Sequence, residues 1–444
     1  MSENNSITFF IDDLPECIIP MDSKDTNSKF ISSLLYKPIL RQINGELLSA
    51  YIEDNSCEGL INLKFLGEKF WSDETCLTAM DFYQTIKHIF SQRKSCYYYL
   101  DFIKGAKNYI YNDANIENIE MWVQSNTFYA KTISMDTYKD IFSGINFAPL
   151  KFKDGKVNNR ITSGGYYCIS MDDRKLKLRK NTLTKEFPDI IEVIEETSIE
   201  KQIQQIEAGV DAYTGFTSLN FDGLLLNKER YEVSSNINFR LVFDTILYEQ
   251  LKNSIIKEDI INELSQLNGL SQFIEIKKDF KNVSTKEPDK KKARRHVRLL
   301  YPRYFPNELI VSCITRVMEK YNLIVDSTAL SFKDYLDENW TDYNLVLELV
   351  DPITKNQLDE FIEQIKFIDQ ENKAKYVKLI NEYIVSKESN KQEKIDEITD
   401  IIQENSRVLN IGIFRQYYIK SSKLPEIVTT DNGLINIEKM FPKE

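Results

Sequence analysis

Histidine is almost missing from this chain, with two in 444 residues, His88 and His296. That nearly removes imidazole-based metal sites and the triads or acid–base pairs that need a histidine. Glycine is scarce as well, 14 in all, and neither G-x-G-x-x-G nor G-x-x-x-x-G-K-[ST] occurs. No phosphate-cradling loop is in evidence, and no cofactor or metal is expected. No nucleophile elbow is found either, so the residues argue against an enzyme. A run of about 18 apolar residues is absent, so no segment is expected to span a bilayer. The six cysteines (Cys17, Cys57, Cys76, Cys96, Cys168, Cys313) include no C-x-x-C pair; reduced thiols are expected. Met1 to Asp13 show no basic region, apolar stretch or small-residue cleavage site. As written, the chain is expected in the cytoplasm, and in the cell envelope if Met1 replaces a signal sequence. Positive charge is in deficit, 57 Lys and Arg against 68 Asp and Glu, net −11, which disfavours nucleic acid as a partner. The basic run Lys290–Arg298 has no helix-turn-helix pattern and no interleaved aromatics, and reads as a solvated connection.

What the chain does contain is an ordinary globular composition, 42% hydrophobic and 28% charged. Its length exceeds the roughly 250–300 residues that one core sustains, so two or three lobes are expected. Thr78 and Asp81 stand in capping-box spacing ahead of Phe82, Ile86, Ile89 and Phe90, which predicts a helix with one buried face. Leu60–Phe65 alternates as a half-buried strand. Ile119–Val123 and Thr127–Lys131 read as strands and Met135–Phe142 as a helix, giving a small α+β lobe. Ile31–Leu40 reads as a short helix turning into a strand, followed by a hairpin turn at Asn44-Gly45. A helix over Ser198–Ala208 stops at Gly209. The polar stretch Lys281–Lys292 is the best linker candidate. Beyond it come strand Val297–Tyr301, helix Asn307–Lys320, strand Leu323–Asp326, helix Ser331–Asp337 and strand Tyr343–Val350. Short connections in that alternation predict a doubly wound parallel sheet.

Several of these stretches share a further pattern. Trp71-Ser-Asp73-Glu-Thr-Cys-Leu-Thr78-Ala-Met-Asp81-Phe resembles the "W-S-D-G-x-x-[LV]-T-A-x-D-[FV]" segment of the extracytoplasmic solute-binding proteins of ABC transporters, in the family that carries peptides, dipeptides and nickel. In the same order, Tyr36, Leu40 and Asn44-Gly45 fit its "Y-x-x-L … N-G" stretch, Phe147-Ala-Pro149 its "F-A-P", and Ile206-Glu207-Ala208-Gly209-Val-Asp211 its "A-G-E-V-D". Leu299-Leu-Tyr301-Pro302 and Tyr335-Leu336 are similar to "L-x-x-L-Y-P" and "W-x-x-Y-L", and Gln416-Tyr417-Tyr418-Ile419 to the terminal strand pair. The resemblance runs from about Ile31 to the end. It implies an α/β, two-lobed periplasmic-binding-protein-like fold (class II) with an additional small α+β lobe. The family order places the first major lobe at 1–59, 149–238 and 406–444, the small lobe at 60–148 and the second major lobe at 239–405.

The resemblance also implies a monomeric binding protein enclosing a small peptide or other small polar ligand between its lobes, with an ABC transporter permease as partner. A cytoplasmic ligand sensor or carrier that acts on a protein partner is the alternative. The family's "G-W-x-A-D-Y-x-D-P" segment, which supplies an acid for the ligand's amine, is shortened here to Tyr343-Asn-Leu-Val-Leu-Glu348-Leu-Val-Asp351-Pro352 and lacks the tryptophan. Glu348 and Asp351 are therefore the candidate ligand-binding acids, with solvent-exposed strand-edge and turn acids as the competing reading. A parallel strand ending at these residues would present them to a ligand. Tyr36, Tyr213 and Tyr417 are the candidate aromatic walls, and Trp71, Phe216 and Tyr418 are further aromatics that could serve.

Overall fold

The computed structural model describes residues 6–441 apart from 16, 24, 44–45, 50, 68–69, 113, 134–136, 182–187, 215–230, 234–236, 252–254, 268–269, 271–272, 277–293, 304–305, 351–356, 387 and 431–434. The expected turn Asn44-Gly45, the linker Lys281–Lys292, Phe216 and Asp351 lie outside the described residues.

A seven-stranded sheet is built round β1 (Ser6–Ile11), whose residues from Ile7 to Ile11 are all buried. A strand covered on both faces reads as such a buried, mostly apolar run, here with Thr8 as its one polar member. β12 (Ile190–Glu195) and β13 (Ala212–Thr214) flank it in parallel. The sheet is completed by β10 (Tyr166–Met171), β11 (Lys175–Lys180), β14 (Tyr231–Val233) and β21 (Gln416–Lys420), in the order β10-β11-β12-β1-β13-β21-β14. Helix α1 (Thr26–Leu35) packs on it, and α5 (Ile199–Glu207) crosses from β12 to β13, capped by Ser198 and released at Gly209, whose φ is +97°.

Inserted after the hairpin of β2 (Arg41–Ile43) and β3 (Glu46–Leu48) is a small α+β lobe. Its antiparallel sheet runs β4 (Ile52–Asp54), β5 (Leu60–Phe65), β7 (Thr127–Lys131), β6 (Met121–Gln124). Helices α2 (Ala79–Ser91), α3 (Ala106–Asn112) and α4 (Thr137–Ser143) cover it. The Thr78–Asp81 capping box forms as expected, and Phe82, Ile86, Ile89 and Phe90 are buried. The short hairpin β8 (Phe152–Lys153) and β9 (Lys156–Val157) leads back to β10. Because β4 pairs with β5, this sheet starts ahead of the expected boundary at 60. One apolar core runs without a break from the seven-stranded sheet into the small lobe.

The second major sheet has six strands: β16 (Ile274–Ile276), β20 (Val408–Phe414), β15 (Asn238–Phe243), β19 (Leu345–Val350), β17 (Arg295–Pro302) and β18 (Leu323–Leu330), in that order. β17 is parallel to β18 and to β19, as the alternation predicted. The other half is antiparallel, so the sheet is mixed and not doubly wound throughout. The chain enters at Asn238 and leaves at Phe414 on the same edge, which obliges β15 and β20 to run in opposite directions. β20 lies in this sheet, so the chain returns to the seven-stranded sheet at Arg415, later than the expected 406. The end of the basic run, Arg295–Arg298, is strand and not connection. One face packs against α6 (Thr245–Leu251), α7 (Ile256–Ser265) and α8 (Asn307–Lys320). The other carries α9 (Phe332–Asp337) and the helices α10 (Gln357–Gln364), α11 (Gln370–Val385) and α12 (Glu388–Asn405), which share a core of their own. Lys257 ties the two sides, its ammonium donating to Ser406 O at 2.9 Å just past α12. α13 (Ile437–Met440) closes the chain against the first core.

The two major sheets meet at β21. Its Tyr418 belongs to the first core, while Tyr417 and Ile419 on either side of it belong to the second. Alternating side chains of one strand point to opposite faces, so this strand is the seam's shared wall.

Candidate functional site

β1, β12 and β13 run toward the edge where the chain crosses between the sheets, since β21 is antiparallel to β13 and begins there, and β14 ends beside it with Val233 opposite Gln416. In the second sheet Asn238 pairs with both Val350 and Ile413. β19, and with it β17 and β18, therefore ends at the same crossing. Both lobes thus turn the carboxyl ends of their parallel strands to one seam, the place where open α/β sheets bind ligands. Contacts bridge it away from β21 as well: Ile199, Ile203 and Ile206 of α5 pack in the second core, Ile362 of α10 packs against the first, and the Lys107 ammonium of α3 donates to Asn381 Oδ1 of α11.

Glu348 is in register with Arg240, and Arg240 with Asn410, so the three side chains form one row across β19, β15 and β20. α10 lies over that row. Arg240 Nη1 donates to Glu363 Oε2 at 2.8 Å, Asn410 Nδ2 to Glu360 Oε1 at 3.1 Å, and Lys366 Nζ sits 3.7 Å from Glu348 Oε1. Burial pushes the Glu348 carboxyl above its ordinary range, opposed by Lys366 and Arg240. Glu348 thus lies in the row that α10 covers, with Lys366 beside Oε1, while its Oε2 is buried without a hydrogen-bond partner among the described residues. The period of two along β19 decides this: Val346 and Glu348 share the face that α10 and α9 cover.

The aromatic candidates are core residues. Tyr36 ends α1, fully buried, and its hydroxyl finds no hydrogen-bond partner among the described residues. Burial raises its pKa, with the Cys17 and Cys168 thiols adding to the effect. Tyr213 stacks on Phe9 with ring centroids 4.8 Å apart and donates to Pro425 O at 2.9 Å. Tyr417 is packed in the second core next to the crossing. Trp71 is buried with its indole nitrogen 3.4 Å from Asp81 Oδ2, and Tyr418 stacks on Tyr231.

The residue that the sequence reading passed over is Asp12. It follows directly on the last residue of β1, at the carboxyl end of the central strand. Asn27 Nδ2 donates to Asp12 Oδ1 at 2.7 Å and to Asp13 O at 2.9 Å. Desolvation pushes the Asp12 carboxyl up to about 7, Asn27 pulls it down, and the charges of Asp13 and Asp25 raise it further. Beside it, at the end of parallel β12, Glu195 Oε2 accepts from Leu14 N at 3.1 Å and Glu196 N is bound by Ile11 O. The signal was present: an acid doublet directly after the buried run Ile7–Ile11. Chemically, acids at these strand ends suit a cation, and a partly desolvated carboxylate suits an ammonium. Among the described residues no group of three or more His, Cys, Asp or Glu could hold a metal ion, and no helix is long and apolar enough to cross a membrane.

No family model matches the sequence, and no curated protein matches it. Solved structures do. The murein tripeptide-binding protein MppA of Escherichia coli superposes with a TM-score of 0.81 at 13% identity, covering 98% of this chain and 98% of that one. OppA of Listeria monocytogenes bound to peptide gives 0.78 at 13% identity over 100% of both chains. NikA of Staphylococcus aureus in complex with nickel and histidine gives 0.75 at 12%, over 97% and 98%. An unliganded open form of MppA gives 0.65 at 14%, over 99% and 98%. The chain therefore has the two-lobed fold of the periplasmic solute-binding proteins.

Proposed function

We propose that this chain is a non-enzymatic binding protein that encloses a small polar, peptide-like ligand at the seam between its major lobes, with an ammonium group of the ligand against Asp12. The observation that carries the reading is the convergence of parallel-strand carboxyl ends from both lobes on one seam, with the Asp12 carboxyl at the central one. The fold shared with structures that hold a peptide or a nickel–histidine complex supports it. The better superposition on MppA than on its open unliganded form accords with a closed arrangement of the lobes. An ABC transporter permease is the partner this reading implies. Glu348 is given no ligand role in this reading, since it lies on the sheet face that α10 covers and has Lys366 beside it.

Native mass spectrometry of protein purified without refolding identifies a retained ligand, and calorimetry with that ligand tests the site. Asp12→Asn is expected to lose at least about 2 kcal/mol of binding by leaving a buried ammonium unpaired, while Glu348→Gln leaves affinity unchanged. Loss of binding in Glu348→Gln with none in Asp12→Asn would refute the assignment.

A further inference from the structure

Beneath α10 the second sheet holds an acid and a base side by side. Glu348 and Arg240 stand opposite each other on neighbouring strands, and both are buried. Opposite residues on one face have their side-chain roots about 5 Å apart. The end of α10 and the turn after it answer with the reverse pair: the Glu363 carboxylate lies 2.8 Å from Arg240 Nη1, and the Lys366 ammonium 3.7 Å from Glu348 Oε1. The fit is incomplete. Arg240 Nε, Glu348 Oε2 and, on the other side of Arg240, Asn410 Oδ1 are enclosed with no hydrogen-bond partner among the described residues. The Lys366 contact is an ion pair too long for a hydrogen bond. Buried polar groups left in this way cost free energy. Both answering side chains reach solvent, Glu363 being 25% and Lys366 59% exposed. They can swing outward while Phe361 O, bound by the Tyr376 hydroxyl, and Gln364 Oε1, bound by Ser406 Oγ, keep α10 in place.

We propose that Arg240 and Glu348 form a second binding site, for a small zwitterion whose carboxylate and ammonium stand about 5 Å apart, and that Glu363 and Lys366 take the place of that ligand while the site is closed. A free carboxylate can lie along the Nε edge of the guanidinium and accept from both nitrogens of that edge, whereas Glu363 engages Nη1 and leaves Nε without a partner. An ammonium free of the chain can turn to donate to Glu348 Oε2 as well as Oε1. The site does not rest on the interlobe reading, whose acid, Asp12, belongs to the other lobe.

The test is a calorimetric titration of the full chain, and of its Glu363→Gln, Lys366→Met double variant, with γ-aminobutyrate, compared with n-butylamine and butyrate at the same ionic strength. γ-Aminobutyrate is expected to bind the double variant saturably, at least about tenfold more tightly than the parent chain, and more tightly than either singly charged probe. Adding Glu348→Gln should remove its advantage over butyrate, and adding Arg240→Met its advantage over n-butylamine. Loss of the buried Arg240 endangers the fold, so the isosteric Glu348→Gln decides the matter if Arg240→Met does not fold. Asp12→Asn in the same background should leave the titration unaltered. No saturable binding to the double variant, equal affinity in variant and parent, binding that Glu348→Gln leaves intact, or binding that Asp12→Asn abolishes overturns the proposal.

Discussion

Asp12 and Asp101 keep their protons to higher pH folded than unfolded, since burial raises both carboxyls, to about 7 and about 6. Each therefore favours the folded state fully below about pH 4, and that contribution is lost as pH rises through 6 and 7. Asp12→Asn removes a desolvated charge, so at pH 8 it should raise stability by on the order of 1–3 kcal/mol; at pH 4 the difference should vanish. Urea unfolding at the two pH values checks the sign. Arg240 is the opposite case, a fully buried cation whose loss leaves Glu363 without its partner and takes away a charge that favours ionised Glu348. Arg240→Met should cost about 3–5 kcal/mol, and removal of the exposed Lys366 ammonium under 1 kcal/mol, by the same measurement. The six cysteines are free. Exposed Cys57 and Cys76 should react with a thiol reagent in the native protein, while Cys96, pushed up to about 12 by burial, and Cys313 should react only on unfolding. A native count in which Cys96 labels as fast as Cys57 would contradict the packing.

Among the elements, α2 shows what a local signal can carry. Thr78 Oγ1 accepts from Asp81 N, and Asp81 Oδ2 reaches back to Thr78 N at 2.9 Å while the Trp71 indole donates to the same oxygen. Thr78→Ala should cost about 1 kcal/mol. Asp81→Ala should cost more, as it also strips Trp71 and the Lys151 ammonium 3.6 Å away; the order of the two thermal midpoints tests this. Capping boxes, alternating strands such as β5 and the strand–helix–strand run from β17 to β19 were legible because their determinants lie within a few residues. The site was not. Glu348 looked like a strand-end acid because nothing near it in sequence announces Arg240, more than a hundred residues away, or the helix that covers both. Asp12 was overlooked for the converse reason: its surroundings are ordinary in sequence, and only the parallel pairing with β12 and β13 places it at the seam.

For the whole molecule, the order of short motifs was enough to reach the two-lobed fold, although no one motif was. The boundaries came out differently because β4 and β20 belong to sheets that the motifs do not name. β21 then sets how the molecule holds together. A strand whose Tyr418 is anchored in one core and whose Tyr417 and Ile419 are anchored in the other leaves no plane along which the lobes can melt one at a time. Amide hydrogens of Tyr417, Tyr418 and Ile419 should accordingly exchange only through global opening, and calorimetry should show one transition with no lobe surviving the other. Separate exchange rates for the two cores would refute this. On the binding reading proposed above, movement of one lobe against the other would be taken up beside β21, at Arg415, so that opening need not loosen the fabric of either half.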